Sequence, residues 1–293
     1  MSEPRPGGSP TVLRMILGRQ LQALREKAGM SYEQAAAAIV SSPYTVRRME
    51  RAEGGLKPLT VRSLLMAYGI TDPHEIDTFL ALARDASKPG WWHSSDDVLP
   101  SWFRTFIGLE EAATLIRGYD PHSIPGLLQT PDYARASVRT GFPDASDDEA
   151  GRRVDLRLAR QHILARPDPP RLWLIIDETA LRRPAATTGP VVMRAQLDTL
   201  IQAASRPGIT IQVLPFTAGL HPAMYGPFRI FRFEAHQQPD IVYSESMTSA
   251  HYIDKPDETA AYAQALDRIS AQAAPGDDTA TLLHNIRKEI KEI

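Results

Sequence analysis

The chain has 293 residues with 33 Lys+Arg against 35 Asp+Glu, a formal net charge of −2. That length exceeds most single cores and predicts two domains, and 43% hydrophobic with 23% charged residues excludes wholesale disorder. The absence of cysteine excludes disulfides, thiolate metal sites and cysteine nucleophiles.

The first ten residues, MSEPRPGGSP, are polar and lack the apolar core of a secretory signal. No stretch approaches the ~20 apolar residues of a membrane span, so a soluble, cytoplasmic chain with no membrane partner is expected. Charge is unevenly spread. Residues 11–70 carry nine Lys/Arg against four Asp/Glu, a net of +5, while residues 71–293 carry 23 against 30, a net of −7. A phosphate-bearing partner is therefore expected at the N-terminal part.

Leu13, Ile16, Leu17, Leu21 and Leu24 follow helical spacing and predict a first helix that stops at Ala28-Gly29. Ser31 opens a second, with Gln34 completing a capping box and the apolar run Ala35 to Ile39 behind it. After a break at Val40-Ser41, Ser42 is a good N-cap and Pro43 suits the first position of a third helix, Pro43 to about Ala52. In that helix Val46 and Met49 point inward and Tyr44, Thr45, Arg47, Arg48 and Arg51 remain outside. Thr60 is expected to cap a fourth helix through Tyr68, and Asp72 to begin a fifth.

Two short helices joined by a tight turn, the second opening with a cap and polar residues, is the layout that places one helix in the DNA major groove. By residue type, Arg47 or Arg48 suits a guanine edge, Tyr44 and Thr45 thymine methyls or phosphates, and Arg51 phosphate. A basic face that merely stays solvated is the competing reading. Residues 13–70 resemble the lambda-repressor-like, XRE-type helix-turn-helix family. The resemblance rests on L-R-E-K-A-G-M-S (Leu24 to Ser31) and S-P-Y-T-V-R-R-M-E (Ser42 to Glu50). It implies sequence-specific binding of double-stranded DNA through a recognition helix at 43–52. It further implies a salt bridge between Arg25 and Glu50, phosphate contacts from Tyr32, and base reading from Pro43, Tyr44, Arg47 and Arg48. Ser42, Thr45 and Arg51 complete the expected DNA-facing set. Val40 stands where that family often has glycine, and a β-branched residue does not take a positive φ cheaply, so a slightly reshaped turn is expected.

The helix-turn-helix domain is expected over 11–86, followed by a linker over 87–101 in which Trp91 and Trp92 pack or, in the competing reading, mark a docking surface. A mixed α/β domain over 102–293 follows. Its expected elements are a helix from Trp102 to Gly118, a loop to Gln129, a helix opening at Thr130-Pro131 and an Arg-rich helix from about Asp147 to Ala165. Strands are then expected at Arg171 to Asp177, Gly208 to Phe216, 226–233 and 239–245, with helices at Val191 to Ala204, Thr259 to Ile269 and Asp278 to Ile293.

Residues 100–290 resemble the C-terminal domain of actinobacterial WhiJ-like, antitoxin-like regulators. The carrying stretches are IPGLLQTPDYAR (Ile124 to Arg135), RLARQ (Arg157 to Gln161), DETALRR (Asp177 to Arg183), VMRAQL (Val192 to Leu197), ITIQVLPF (Ile209 to Phe216), HPAMYGPF (His221 to Phe228) and IVYSES (Ile241 to Ser246). The resemblance implies a transcriptional regulator, often encoded beside a small partner protein. A homodimer is expected, because one short recognition helix reads too few base pairs to find a genomic site.

Phosphate-loop, dinucleotide-binding, zinc-protease and serine-hydrolase motifs are missing, and the eight histidines have no metal-ligand spacing, so no catalysis, cofactor or metal is expected. Asp177 and Glu178, ending a buried strand, suit either a ligand site or the cap of a helix beginning at Thr179. His221, in a Pro/Gly-rich loop with Met224, Tyr225 and Phe228, suits a pocket, a docking surface or a structural turn. The C-terminal domain is expected to make dimer contacts and to receive a signal from a small-molecule effector or a small protein encoded nearby. In the competing reading it is chiefly an antitoxin-like protein-interaction module.

Overall fold

In the computed structural model, which describes residues 9–183, 185–234 and 239–290, the chain folds as two units. One comprises the described residues up to Ser94 with Ile107–Ala112, the other Ser95–Phe106 with the residues from Ala113 onward.

Five helices build the first unit: α1 (Pro10–Lys27), α2 (Tyr32–Ala38), α3 (Pro43–Glu50), α4 (Pro58–Ala67) and α5 (Pro73–Ala86). Ser31 and Ser42 cap α2 and α3 by accepting from Gln34 N and Thr45 N, and Gln34 Oε1 returns the bond to Ser31 N. The fourth helix corrects the expectation. Pro58 occupies its first turn behind Lys57, so Thr60 lies inside the helix and is not its cap.

Four of these helices stop in the same way. Gly29, Val40, Ala52 and Gly69 take φ of 63°, 50°, 59° and 85°. The residue after each donates back around the helix end: Met30 N to Arg25 O, Ser41 N to Ala36 O, Glu53 N to Arg48 O and Ile70 N to Leu65 O. This is the left-handed stop that satisfies the last carbonyls. The turn at Val40 is therefore not reshaped. Valine adopts the glycine conformation, and with its side chain 95% exposed nothing clashes, so the strain is confined to the backbone. Leu17, Leu21, Val46, Met49, Val61, Leu64 and Leu65 make the buried core of the bundle.

In the region read as a linker, residues Trp91–Ser95 form a single 3-10 turn. Trp92 is buried, and half-exposed Trp91 donates from Nε1 to Glu111 Oε2. The helix expected over 102–118 is shorter, α6 (Ser101–Ala112), and Leu115–Asp120 form a strand, β1. Arg117 and Gly118 interrupt the apolar run that would have marked it.

The second unit continues with α7 (Pro131–Gly141), α8 (Asp147–Ala159), β2 (Arg171–Asp177), α9 (Glu178–Arg182), α10 (Ala185–Thr188), α11 (Pro190–Ala204) and β3 (Ile209–Leu214). It ends with β4 (Phe228–Arg232), β5 (Ile241–Glu245), β6 (Ala250–Ile253), α12 (Pro256–Gln272) and α13 (Gly276–Glu289). The Arg-rich helix ends at Ala159 and tightens to a 3-10 turn over Arg160–Ala165. Residues 291–293 of the expected last helix lie outside the described residues.

The six strands order β3-β2-β1-β4-β5-β6. β1, β2 and β3 are parallel, with Gly118 opposite Leu174 and Leu174 opposite Ile211, and their runs are buried as parallel strands require. β4, β5 and β6 add antiparallel. Helix α12 covers one face through Leu266 and Ile269, which pack with Tyr119, Ile175, Ile230 and Val242. The carboxyl ends of the neighbouring parallel strands β1 and β2 bring Tyr119, Asp120, Asp177 and Glu178 to the same end of the sheet.

Candidate nucleic-acid interface

Helix α3 has two unlike faces. Val46, Met49 and Glu50 are buried. Tyr44, Arg47, Arg48 and Arg51 are exposed, and their i, i+3, i+4, i+7 spacing puts them on one stripe. The buried face is seated by a two-point ion pair: Arg25 Nε meets Glu50 Oε1 at 2.6 Å and Arg25 Nη2 meets Oε2 at 3.0 Å. Arg25 Nη1 also donates to Met30 O at 3.1 Å. Its bonds to the Glu50 carboxylate hold the guanidinium above its ordinary pKa.

One determinant of this seat has no obvious mark in the sequence. A Cβ on Gly18, in the middle of α1, would stand 2.5 Å from Glu50 O and 2.9 Å from Met49 O. Glycine there lets the backbone of α1 approach the end of α3. The only available signal was an isolated glycine inside an otherwise amphipathic helix.

On the exposed face the arginines differ. Arg48 Nη2 donates to Glu53 O at 2.8 Å, and its guanidinium lies 5.8 Å from the Tyr44 ring centroid, so it is held against the loop that follows α3. Arg47 makes no such bond; its guanidinium lies 4.9 Å from the centroid of Tyr32. The guanidinium of Arg25 lies 4.0 Å from the centroid of the same Tyr32 ring, so Tyr32 touches both the structural pair and the exposed stripe. Arg51 is exposed beyond the helix end. Ser42 and Thr45 are joined, Oγ to Oγ1 at 3.0 Å, and with Pro43 they form the capped first turn. Tyr32, Ser42, Pro43, Tyr44, Thr45, Arg47, Arg48 and Arg51 thus lie on α2, α3 and their flanks, whose helix N-termini also offer unsatisfied N–H groups suited to phosphate.

The C-terminal candidates resolve differently. Asp177 Oδ1 accepts from Thr179 N at 2.8 Å and caps α9, while Oδ2 accepts from Tyr119 OH at 3.0 Å. His221 Nε2 stands 3.3 Å from the same hydroxyl. Glu178 ties Arg182 Nε at 2.6 Å and Phe216 N at 3.0 Å. Both acids therefore hold the loops beyond the carboxyl ends of the strands. Phe228 is a correction: it is buried in the core with Tyr119 and Ile230 and offers no surface. Met224 and Tyr225 are exposed, Tyr225 by 96%.

The stretches that carried the second resemblance interlock. Gln161 Nε2 donates to Gly126 O and Gln129 O, and Arg157 Nη1 to Gln129 Oε1. Gln196 joins Thr130 N to Leu128 O, and Tyr133 OH accepts from Ile124 N. These glutamines satisfy the backbone of the Pro125 loop.

Among the described residues no helix is long and apolar enough to cross a membrane, and no group of three or more His, Asp or Glu is placed to hold a metal ion. The chain is similar to two families. The profile described as a helix-turn-helix domain matches residues 16–79. The profile described as a domain of unknown function, DUF5753, matches residues 103–285. No curated protein and no solved structure matches the chain.

Proposed function

The chain belongs to the DUF5753 family, and from that premise and the helix-turn-helix domain ahead of it we propose that it is a sequence-specific regulator of transcription that binds double-stranded DNA. The observation that carries this reading is the exposed stripe of Tyr44, Arg47, Arg48 and Arg51 on a helix whose other face is fixed by Arg25–Glu50. α3 lies in the major groove. Arg47, whose guanidinium bonds to no neighbouring backbone, reads a guanine edge, worth about 1–3 kcal/mol of discrimination for a bidentate contact. Arg48, tethered to Glu53 O, and Arg51 meet phosphate, as does Tyr32. The chain acts in the cytoplasm as a homodimer with two heads about one DNA turn (~34 Å) apart. Its C-terminal domain makes the dimer contacts and receives the signal. No catalytic reaction is assigned to it.

The reading is tested by selecting bound duplexes from a random-sequence library with the full chain. A two-fold-symmetric site is expected, with one position per half-site that loses its base preference in Arg47→Ala. Recovery of no preferred sequence counts against it.

A second reading, in which the C-terminal domain is chiefly a protein-interaction module, is favoured by one observation. The segment from 216 to 225 exposes Phe216, Leu220, Met224 and Tyr225 together. Co-purification with the product of a neighbouring gene, abolished by Leu220→Glu, is its expected result; unaltered co-purification by that variant counts against this surface.

A further inference from the structure

The second unit contains a cavity of about 160 Å³ between α7, α8 and the strap of residues 98–103. Val98, Leu99 and Phe103 of the strap, Val138 of α7 and Leu156 of α8 give it apolar walls. Its polar lining is unusual. Arg157 projects into it, and Nη1 donates to Gln129 Oε1 at 3.1 Å and Ser137 Oγ at 2.9 Å, both uncharged acceptors. Among the described residues Arg157 has no ion-pair partner.

The neighbouring cations do not relieve it. The Arg160 guanidinium lies 5.1 and 5.0 Å from the centroids of the stacked Phe103 and Phe106 rings, and its charge adds to the positive potential at Arg157. Arg153 is already paired with Glu149 Oε1 at 2.7 Å and covers the Phe142 ring. The single carboxylate lining the cavity is Glu245, an exposed residue at the end of β5. Burial, with Arg160 adding to it, pushes the Arg157 guanidinium down to about 10. Glu245 acts on Arg157 only at a distance, and a partly desolvated cation with no carboxylate bonded to it is a costly arrangement that a carboxylate accepting two parallel N–H bonds best offsets.

We propose that this cavity is a binding site for a small monocarboxylate with an apolar body, its carboxylate on Arg157 and its body against Val98, Leu99, Phe103, Val138 and Leu156. The size fits one six-membered ring, since an apolar cavity of about 150 Å³ holds benzene. Glu245 disfavours dianions, and a volume of about 160 Å³ is too small for a nucleotide. The strap that forms one wall is the chain leading in from the DNA-binding unit, so occupancy would be felt where the signal has to pass. That last step rests on the regulator reading above.

Isothermal titration of the full chain, without DNA, tests the site with benzoate and its neutral isostere benzamide. Benzoate is expected to bind with Kd below about 1 mM, in keeping with its few non-hydrogen atoms, and benzamide at least about tenfold more weakly. Arg157→Gln, which keeps donors for Gln129 and Ser137, reduces benzoate to the benzamide level. Leu99→Trp, at a half-buried wall residue, fills the cavity and abolishes both without lowering the thermal transition, so the proposal stays testable if Arg157→Gln folds poorly. No benzoate binding, equal binding of the two compounds, or unaltered binding by Leu99→Trp overturns the site. Benzoate binding that leaves DNA affinity unchanged upholds the site and removes only its role in signalling. Specific DNA binding by a chain that ignores benzoate does the reverse.

Discussion

Arg25 in the last turn of α1 and Glu50 in the last turn of α3 are both buried and meet through two parallel hydrogen bonds of 2.6 and 3.0 Å. Removing either partner strands the other charge in the core. Arg25→Ala and Glu50→Ala are each expected to lose about 3–5 kcal/mol, while the apolar pair Arg25→Met/Glu50→Met recovers most of it. Denaturant unfolding of the three variants measures this. Single losses below about 1 kcal/mol would show that the pair does not seat α3.

Gly18→Ala sets two effects against each other. Alanine is the better helix former by about 1 kcal/mol, but its Cβ would meet Glu50 O at 2.5 Å. Backbone does not yield as a side-chain tip does, and overpacking costs about 1–3 kcal/mol. A lower thermal midpoint is expected for Gly18→Ala. Gly151 in α8, exposed and with open space where a Cβ would stand, is the matched control. Gly151→Ala should be neutral or stabilising in scanning calorimetry, and a rise for Gly18→Ala would contradict the close approach.

Val40 and Ala52 hold left-handed backbone that glycine takes freely. Val40→Gly, at an exposed turn with no contacts to lose, is expected to stabilise the first unit by about 1 kcal/mol, with a smaller gain for Ala52→Gly. Thermal melts decide it; a loss at Val40 would show that its side chain packs.

Asp120 Oδ1 binds Arg229 Nη2 at 2.6 Å, while Asp120 Oδ2 is buried without a hydrogen-bond partner. Burial raises the Asp120 pKa, and Arg229 opposes that rise. In Arg229→Ala the opposition is gone and the folded pKa climbs further. An acid raised on folding costs nothing below its unfolded pKa and its full penalty above the folded one, so the deficit grows as pH rises from about 4 toward 7. Urea midpoints across that range measure it. A deficit that shrinks with rising pH would mean that Asp120 is not held buried. Arg152→Ala, removing an exposed partner of Asp97, should change little at any pH.

The N-terminal unit was largely legible because its signals are local: Ser31 with Gln34, Ser42 with Pro43, and Gly29 each act within one turn. What escaped depends on distant partners. β1 sits centrally between β2 and β4, yet Arg117 and Gly118 lie in it. Arg117 pairs with Asp267 and lies 4.7 Å from the Trp173 ring centroid, and Gly118 makes room for Arg229. β6, the half-exposed edge strand Ala250–Ile253, has no apolar run to announce it. The exposed stripe was readable from helical spacing, but the difference between Arg47 and Arg48 was not. It arises from the position of Glu53 O after a left-handed residue at Ala52.

The most direct test of DNA reading by α3 is fluorescence anisotropy of the full chain against its selected duplex and a scrambled one, over a salt series, for the native protein, Arg47→Ala and Arg51→Ala. The account predicts that Arg47→Ala loses about 1–3 kcal/mol on the selected duplex and little on the scrambled one, whereas Arg51→Ala weakens both and lowers the salt slope by about one. If Arg47→Ala binds the selected duplex as the native chain does, the stripe on α3 does not read DNA.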